Sequence, residues 1–171
     1  MDSLQDLSDL TRRYRRQRRL ILKIPSNLNP GGVIELQDII WTIASDDDTV
    51  DKDLALIRWA DTLRNSMAEF KRPLDSALFY KDQLAAAGFV DIVEIKYKWP
   101  TNRWPKDPKH KEIGLWSYEN ISSGMNAFSL AILTRPKTEG GLGWSVEEME
   151  VFLTQVRKDL KNPAYHGYWP M

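Results

Sequence analysis

Apolar positions recur at two periods along this chain, and the changes of period divide it into elements. Leu4, Leu7, Leu10, Tyr14 and Ile21 return about every 3.6 residues, which predicts a helix from roughly residue 4 to 22. Pro25 and the cluster Asn29-Pro30-Gly31-Gly32 then stop any helical pattern and force a turn. Residues 33–41 (VIELQDIIW) switch to a β-rich run. Val33, Ile39 and Trp41 share one face and Ile34, Leu36 and Ile40 the other, the pattern of an interior strand covered on both sides. Helical spacing resumes with Leu54, Ile57, Leu63, Met67 and Phe70, behind Asp48 or Thr49 as the expected cap, and Pro73 breaks it.

A further helix is expected over residues 74–87, closed by Gly88 in the left-handed conformation. Residues 90–99 alternate Val93, Ile95 and Tyr97 against Glu94, Lys96 and Lys98, a strand with one wet face, as near a sheet edge. Three prolines between 100 and 108 (PTNRWPKDP) exclude regular structure there, and two helices are expected at 109–116 and 121–134. Gly140-Gly141-Leu142-Gly143 reads as a loop. No strand precedes it and no Lys follows, so it is not a phosphate cradle. Ser145-Val146-Glu147-Glu148 is a capping box that opens a last helix to about residue 160, with Val146, Met149, Phe152, Leu153 and Val156 on its apolar stripe.

Composition narrows the chemistry. The 171 residues include no Cys and two His distant in sequence, so neither a thiolate nucleophile nor a His/Cys metal site is expected. The acidic run Asp46-Asp47-Asp48 lacks the interleaved oxygen ligands and terminal Glu of a calcium loop. Charge balances at 24 Lys plus Arg against 24 Asp plus Glu, which removes any global electrostatic case for nucleic acid. The balance is uneven: Arg12, Arg13, Arg15, Arg16, Arg18, Arg19 and Lys23 face only Asp2, Asp6 and Asp9 in the first 24 residues, leaving the remainder net acidic. This segment reads as a solvated basic face, since the one aromatic residue among the arginines, Tyr14, belongs to the apolar stripe of the predicted helix. No apolar run approaches the ~18 residues of a membrane span, and the start has no signal-peptide core, so an intracellular protein, cytoplasmic or nuclear, is expected.

Several segments resemble one family. Leu28-Asn29-Pro30-Gly31-Gly32-Val33-Ile34-Glu35-Leu36-Gln37-Asp38 is similar to the turn and fifth strand of class I S-adenosylmethionine-dependent methyltransferases. Ala87-Gly88-Phe89-Val90-Asp91 resembles the approach to their sixth strand. Trp104-Pro105-Lys106-Asp107, Lys111-Glu112-Ile113-Gly114 and Gly143-Trp144-Ser145 resemble the narrower fungal LaeA-like group, methyltransferase-domain proteins linked to secondary metabolism. The resemblance implies an α/β fold: the C-terminal part of a Rossmann-like methyltransferase domain, helix-rich and with an incomplete sheet, over residues 28–171, behind a basic helix and turn at 1–27.

The resemblance also implies S-adenosylmethionine as cofactor and a small-molecule or protein methyl acceptor. The family holds its cofactor with a Gly-rich turn and an acid on its first strands. Residues 1–27 contain no Gly and are too short for a strand-helix-strand unit, so this chain is expected to lack that half. The family's seventh strand, between the fifth and sixth, is likewise expected to be missing beyond Trp169-Pro170-Met171, leaving both predicted strands without a partner and the chain prone to self-association. Ligands of open α/β sheets lie beyond the carboxyl ends of strands, which makes Asp38, Trp41, Trp99, Trp104 and Trp116 the candidate substrate wall. His110 and His166 are the available general bases, both expected on the surface, and no catalytic constellation is apparent. The alternative is a non-catalytic regulatory module that binds a protein or nucleic acid.

If the basic segment is only a solvated face, replacing Arg15, Arg16, Arg18 and Arg19 with Gln changes stability by no more than about 0.5 kcal/mol each. The chain then shows no salt-dependent retention on duplex DNA. Retention at physiological salt that disappears in the quadruple variant would show an anion site instead.

Overall fold

The computed structural model describes Tyr14 and residues 19–171. Four helices and two short strands carry the fold: α1 (Ala55–Glu69), α2 (Tyr80–Ala86), β1 (Lys98–Pro100), α3 (Pro108–Leu133), α4 (Val146–Lys161) and β2 (Tyr168–Pro170). Single 3-10 turns sit at Pro25–Asn27, Ser76–Phe79 and Lys137–Glu139. No described helix is long and apolar enough to cross a membrane.

The core is where α1, α3 and α4 meet. Leu56, Trp59, Ala60 and Leu63 of α1 pack with Met125, Ile132 and Leu133 of α3 and with Met149, Leu153, Val156 and Leu160 of α4, and Trp169 of β2 closes the cluster. These residues repeat at three- and four-residue steps, so each helix turns one stripe inward. The helix ends are tied across the core. The Leu56 amide, one of the unpaired donors of the first turn of α1, donates to Asp159 Oδ2 at 3.1 Å from α4. Asn102 Nδ2 donates to the carbonyls of Leu160 and Asn162 at 2.9 and 3.1 Å, satisfying the end of α4. Inside, Trp59 Nε1 donates to Ser129 Oγ at 2.9 Å, and that hydroxyl donates to Met125 O at 2.7 Å. Gly114 lets α3 lie directly on the chain after β1, since a Cβ there would stand 2.0 Å from Asn102 O.

Several expectations hold. The capping box forms in full, Glu148 N donating to Ser145 Oγ at 3.1 Å and Ser145 N to Glu148 Oε2 at 2.7 Å. Gly88 takes the left-handed conformation, φ +90°, after α2. The helix expected over 4–22 lies mostly outside the described residues; of those described, 19–21 are helical and Ile21 is buried.

Others are corrected. Residues 33–41 form no strand: Val33 is 87% exposed, and backbone pairing begins only at Ile40, whose amide donates to Pro170 O at 2.8 Å. The strand expected over 90–99 contracts to Lys98–Pro100. An isolated extended segment has no reason to become a strand, because its hydrogen bonds must come from neighbours. Asp48 and Thr49 do not cap α1, which starts at Ala55 behind Leu54 with no side-chain cap. The predicted 74–87 helix is a 3-10 turn followed by the shorter α2. The two helices at 109–116 and 121–134 are one, because Ser117-Tyr118-Glu119-Asn120 contains no breaker and Ser117 and Ile121 continue the buried stripe.

The largest correction concerns the tail. Expected to leave both strands unpaired, it is itself the partner. Tyr168–Pro170 pairs antiparallel with Lys98–Pro100 in the register Lys98↔Pro170, Trp99↔Trp169 and Pro100↔Tyr168. Its other edge exchanges two hydrogen bonds between Ala44 and Tyr168, at 3.0 and 2.8 Å.

Leu153 has no exposed surface. Leu153→Ala is expected to lower stability by about 2–5 kcal/mol through lost burial and a cavity, and Ser145→Ala by about 1 kcal/mol through the lost cap. Urea unfolding followed by helical circular dichroism checks both. Equal losses in the two variants would contradict this division between core and cap.

Candidate functional site

The tail crosses between two chain segments, and at the crossing their carboxyl ends bring a polar group together. Residues 45–49 leave the first segment, Thr101 to Trp104 leave β1, and His166 and Gly167 lead into β2. The anchor is Gly167 O, which accepts from Thr101 N at 2.9 Å, Thr101 Oγ1 at 3.1 Å and Trp104 Nε1 at 2.8 Å. A side chain at 167 would collide with Ile43, 2.9 Å from the position of its Cβ.

Around this anchor two acid pairs form. Asp46 accepts from Lys98 Nζ at 2.5 Å and from Tyr168 Oη at 2.8 Å, and the Lys98 ammonium lies 4.8 Å from the centre of the Tyr168 ring. Asp47 Oδ1 accepts from Ser45 Oγ at 2.9 Å and Thr49 Oγ1 at 2.8 Å, while Oδ2 meets His166 Nδ1. The Thr49 hydroxyl in turn accepts from the His166 amide at 2.9 Å. Trp104 stacks on the His166 ring with centroids 4.8 Å apart and planes 30° from parallel. With the Asp47 carboxylate at Nδ1, that nitrogen carries a proton.

The electrostatics follow the contacts. The Lys98 hydrogen bond, then that of Tyr168, holds the Asp46 carboxyl below its ordinary range. The hydrogen bonds of His166 and then Thr49 hold Asp47 well below it. Asp46 raises the Lys98 ammonium by accepting its hydrogen bond. It raises the Tyr168 phenol in the same way, with burial adding to the shift. These side chains remain open to solvent, so they steer contacts more than they stabilise the fold.

The residues proposed for a substrate wall are spread over the molecule. Trp41 packs against the core, its ring 4.8 Å from Trp169 and 5.8 Å from Trp59. Trp99 lies half-buried in β1 against the same core. Asp38 Oδ2 accepts from Tyr80 Oη at 2.6 Å, on the far stretch of the first segment. Trp116 is 65% exposed on α3. Among the five, Trp104 alone joins the polar group. Of the two histidines, His166 belongs to it, and His110 pairs with Asp107 at 3.1 Å at the start of α3. Asp46, Asp47, Thr49, Lys98 and Tyr168 were not singled out from sequence as one site. The acidic run was visible, but Lys98, His166 and Tyr168, which meet it, lie 52 to 122 residues away.

Comparison with known proteins places relatives beside this geometry. The chain is 36% identical over 153 residues to the probable methyltransferase tdiE of Emericella nidulans, covering 90% of this chain and 47% of that protein. It is 33% identical over 151 residues to the secondary metabolism regulator LAE1 of Cochliobolus heterostrophus, covering 87% and 48% respectively. To the protein-methionine methyltransferase laeA of Chaetomium globosum it is 35% identical over 153 residues, covering 88% and 46%. The chain thus spans about half the length of the curated relatives it matches. No family model and no solved structure matches it.

Asp46 and Asp47 are held below their ordinary value of 3.8. Their contribution to the crossing is therefore complete above that pH and is lost as pH falls through their lower folded values. Asp46→Asn/Asp47→Asn should remove the contribution at neutral pH and flatten this acid limb. Near-ultraviolet circular dichroism of the stacked Trp104 reports it. An acid titration superimposable on that of the unaltered chain would contradict the assignment.

Proposed function

We propose that this homologue of the LaeA-like methyltransferases supplies the acceptor side of an S-adenosylmethionine-dependent methyltransferase domain. One observation carries the reading. Residues 40–44 and β1 run parallel to each other with the antiparallel tail between them, which is the order of fifth, seventh and sixth strands that the resemblance implies. Asp46 and Asp47 then lie beyond the carboxyl end of the first parallel segment, where ligands of such sheets bind, and Lys98, from the start of β1, together with His166 and Tyr168 of the tail, reaches them. Trp104, stacked on His166, offers an aromatic wall to the acceptor. Asp38, Trp41, Trp99 and Trp116 stay outside that wall in this reading.

The described residues do not fit the cofactor. The glycines at 140 and 141 turn against Phe70 and Arg135, and a Cβ at 141 would stand 2.2 Å from Arg135 O, so that turn is filled by protein. In this reading the donor site lies on polypeptide other than the described residues, which the filled turn supports, and no step of methyl transfer is assigned to the residues present. The acceptor is a small molecule or a protein side chain, the latter in keeping with the relative named as a protein-methionine methyltransferase. A second reading, a regulatory module without catalysis, draws on the relative named as a regulator of secondary metabolism.

Calorimetric titration with S-adenosylmethionine tests the reading in two arms. The chain alone is expected to give no binding isotherm. A chimera in which it replaces the matching half of tdiE is expected to bind the cofactor and transfer a labelled methyl group. Micromolar binding by the chain alone would overturn the division of labour, and a folded chimera that binds cofactor without transferring methyl would favour the regulatory reading.

A further inference from the structure

The segment leading into β1 presents an open sheet edge with apolar side chains in solvent. Val90, Val93, Ile95 and Tyr97 are 81, 80, 64 and 58% exposed. Among the described residues no backbone hydrogen bond is made between Phe89 and Tyr97. Tyr97 spends both backbone groups on Met171, its amide donating at 2.8 Å and its carbonyl accepting at 2.9 Å. Backbone groups alternate sides along an extended chain, so those of Glu94, Lys96 and Lys98 point away from the tail, towards the outer edge.

That edge is self-complementary in one register. Two copies meeting antiparallel about a two-fold axis pair the segment with itself. Centring the axis on Glu94 sets two carboxylates opposite each other, and centring it on Lys96 sets two ammonium groups opposite each other. With the axis on Ile95, each Glu94 faces a partner Lys96 as a hydrogen-bonded pair, and each Val93 faces a partner Tyr97. Opposite charges and aromatic against β-branched residues are the favourable cross-strand pairs, and like charges directly opposite are unfavourable. Within one chain these groups already attract, Lys96 Nζ lying 3.3 Å from Glu94 Oε1 with both side chains exposed, so the charges are free to re-pair across the axis.

We propose that the outer edge at residues 92–98 is a self-association surface, which joins a second copy of this chain by antiparallel pairing centred on Ile95. The symmetry makes the contact isologous, so it closes at two copies. The joined edge sets the exposed row of Val93, Ile95 and Tyr97 beside the same row of the second copy and removes an otherwise open template for indiscriminate strand pairing. It does not rest on the methyltransferase reading: of the polar group only Lys98 lies on this edge, at the end of the paired stretch, with its side chain on Asp46.

Sedimentation velocity across a concentration series tests the proposal with three chains. The unaltered chain is expected to show a reversible monomer–dimer equilibrium. Lys96→Glu places acids opposite acids at two symmetry-related positions and should weaken the dimer by about tenfold or more. Glu94→Lys/Lys96→Glu restores both pairs with their signs exchanged and should recover dimerisation. Circular dichroism of each chain verifies that these exposed substitutions leave the helices intact. A monomer at every concentration, larger aggregates indifferent to the charge reversal, or a double variant as weak as the single one would each overturn the proposal.

Discussion

The insertion of Tyr168–Pro170 between residues 40–44 and Lys98–Pro100 is the constraint on which the rest of the molecule depends. It joins three parts of the chain distant in sequence and seats Trp169, 1% exposed, against Trp41 and the core of α1, α3 and α4. A buried indole on a strand bonded along both edges leaves little freedom to the segments on either side. Those segments in turn fix where loops 45–49 and 101–104 emerge, and with them the acids, the lysine and the stacked histidine. Helix packing supplies the apolar burial, and the crossing decides where the polar chemistry stands.

Local signals were legible and long-range ones were not. The Ser145 capping box, the left-handed Gly88 and the Met149, Leu153 and Val156 stripe of α4 depend on neighbours three or four residues away and form as the pattern predicts, whereas α1 buries Leu56, Trp59, Ala60 and Leu63, of which only Leu63 lies on the predicted face. The strand pattern of residues 33–41 is equally clear, yet its first seven residues make no ladder, because strand formation needs a partner edge that no local pattern reports. The tail escapes a local pattern for the same reason: Tyr168-Trp169-Pro170 is too short to announce a strand and becomes one only between two other segments. The polar group falls in this class. Asp46 and Asp47 were visible as a run, but nothing nearby in sequence shows that one would hold Lys98 and the other His166.

The homology and the geometry bear on different questions. Relatives named as methyltransferases and as regulators of secondary metabolism identify the kind of protein to which this chain is similar. The crossing proposes which part of such a protein the chain supplies: an acceptor-side platform whose helices hold a three-segment edge of a larger sheet. On that account residues 33–39 and 90–96 are exposed for one reason, since each is a strand pattern whose neighbour is not among the described residues.

Residue-resolved amide hydrogen exchange on the full chain tests the crossing most directly. The account predicts slow exchange at Ala44, Tyr97, Thr101 and Tyr168, whose amides bond across the crossing, and rapid exchange at residues 33–38. Free exchange at those four amides while the α1, α3 and α4 core stays protected would show that the tail does not hold the segments together and would contradict the account.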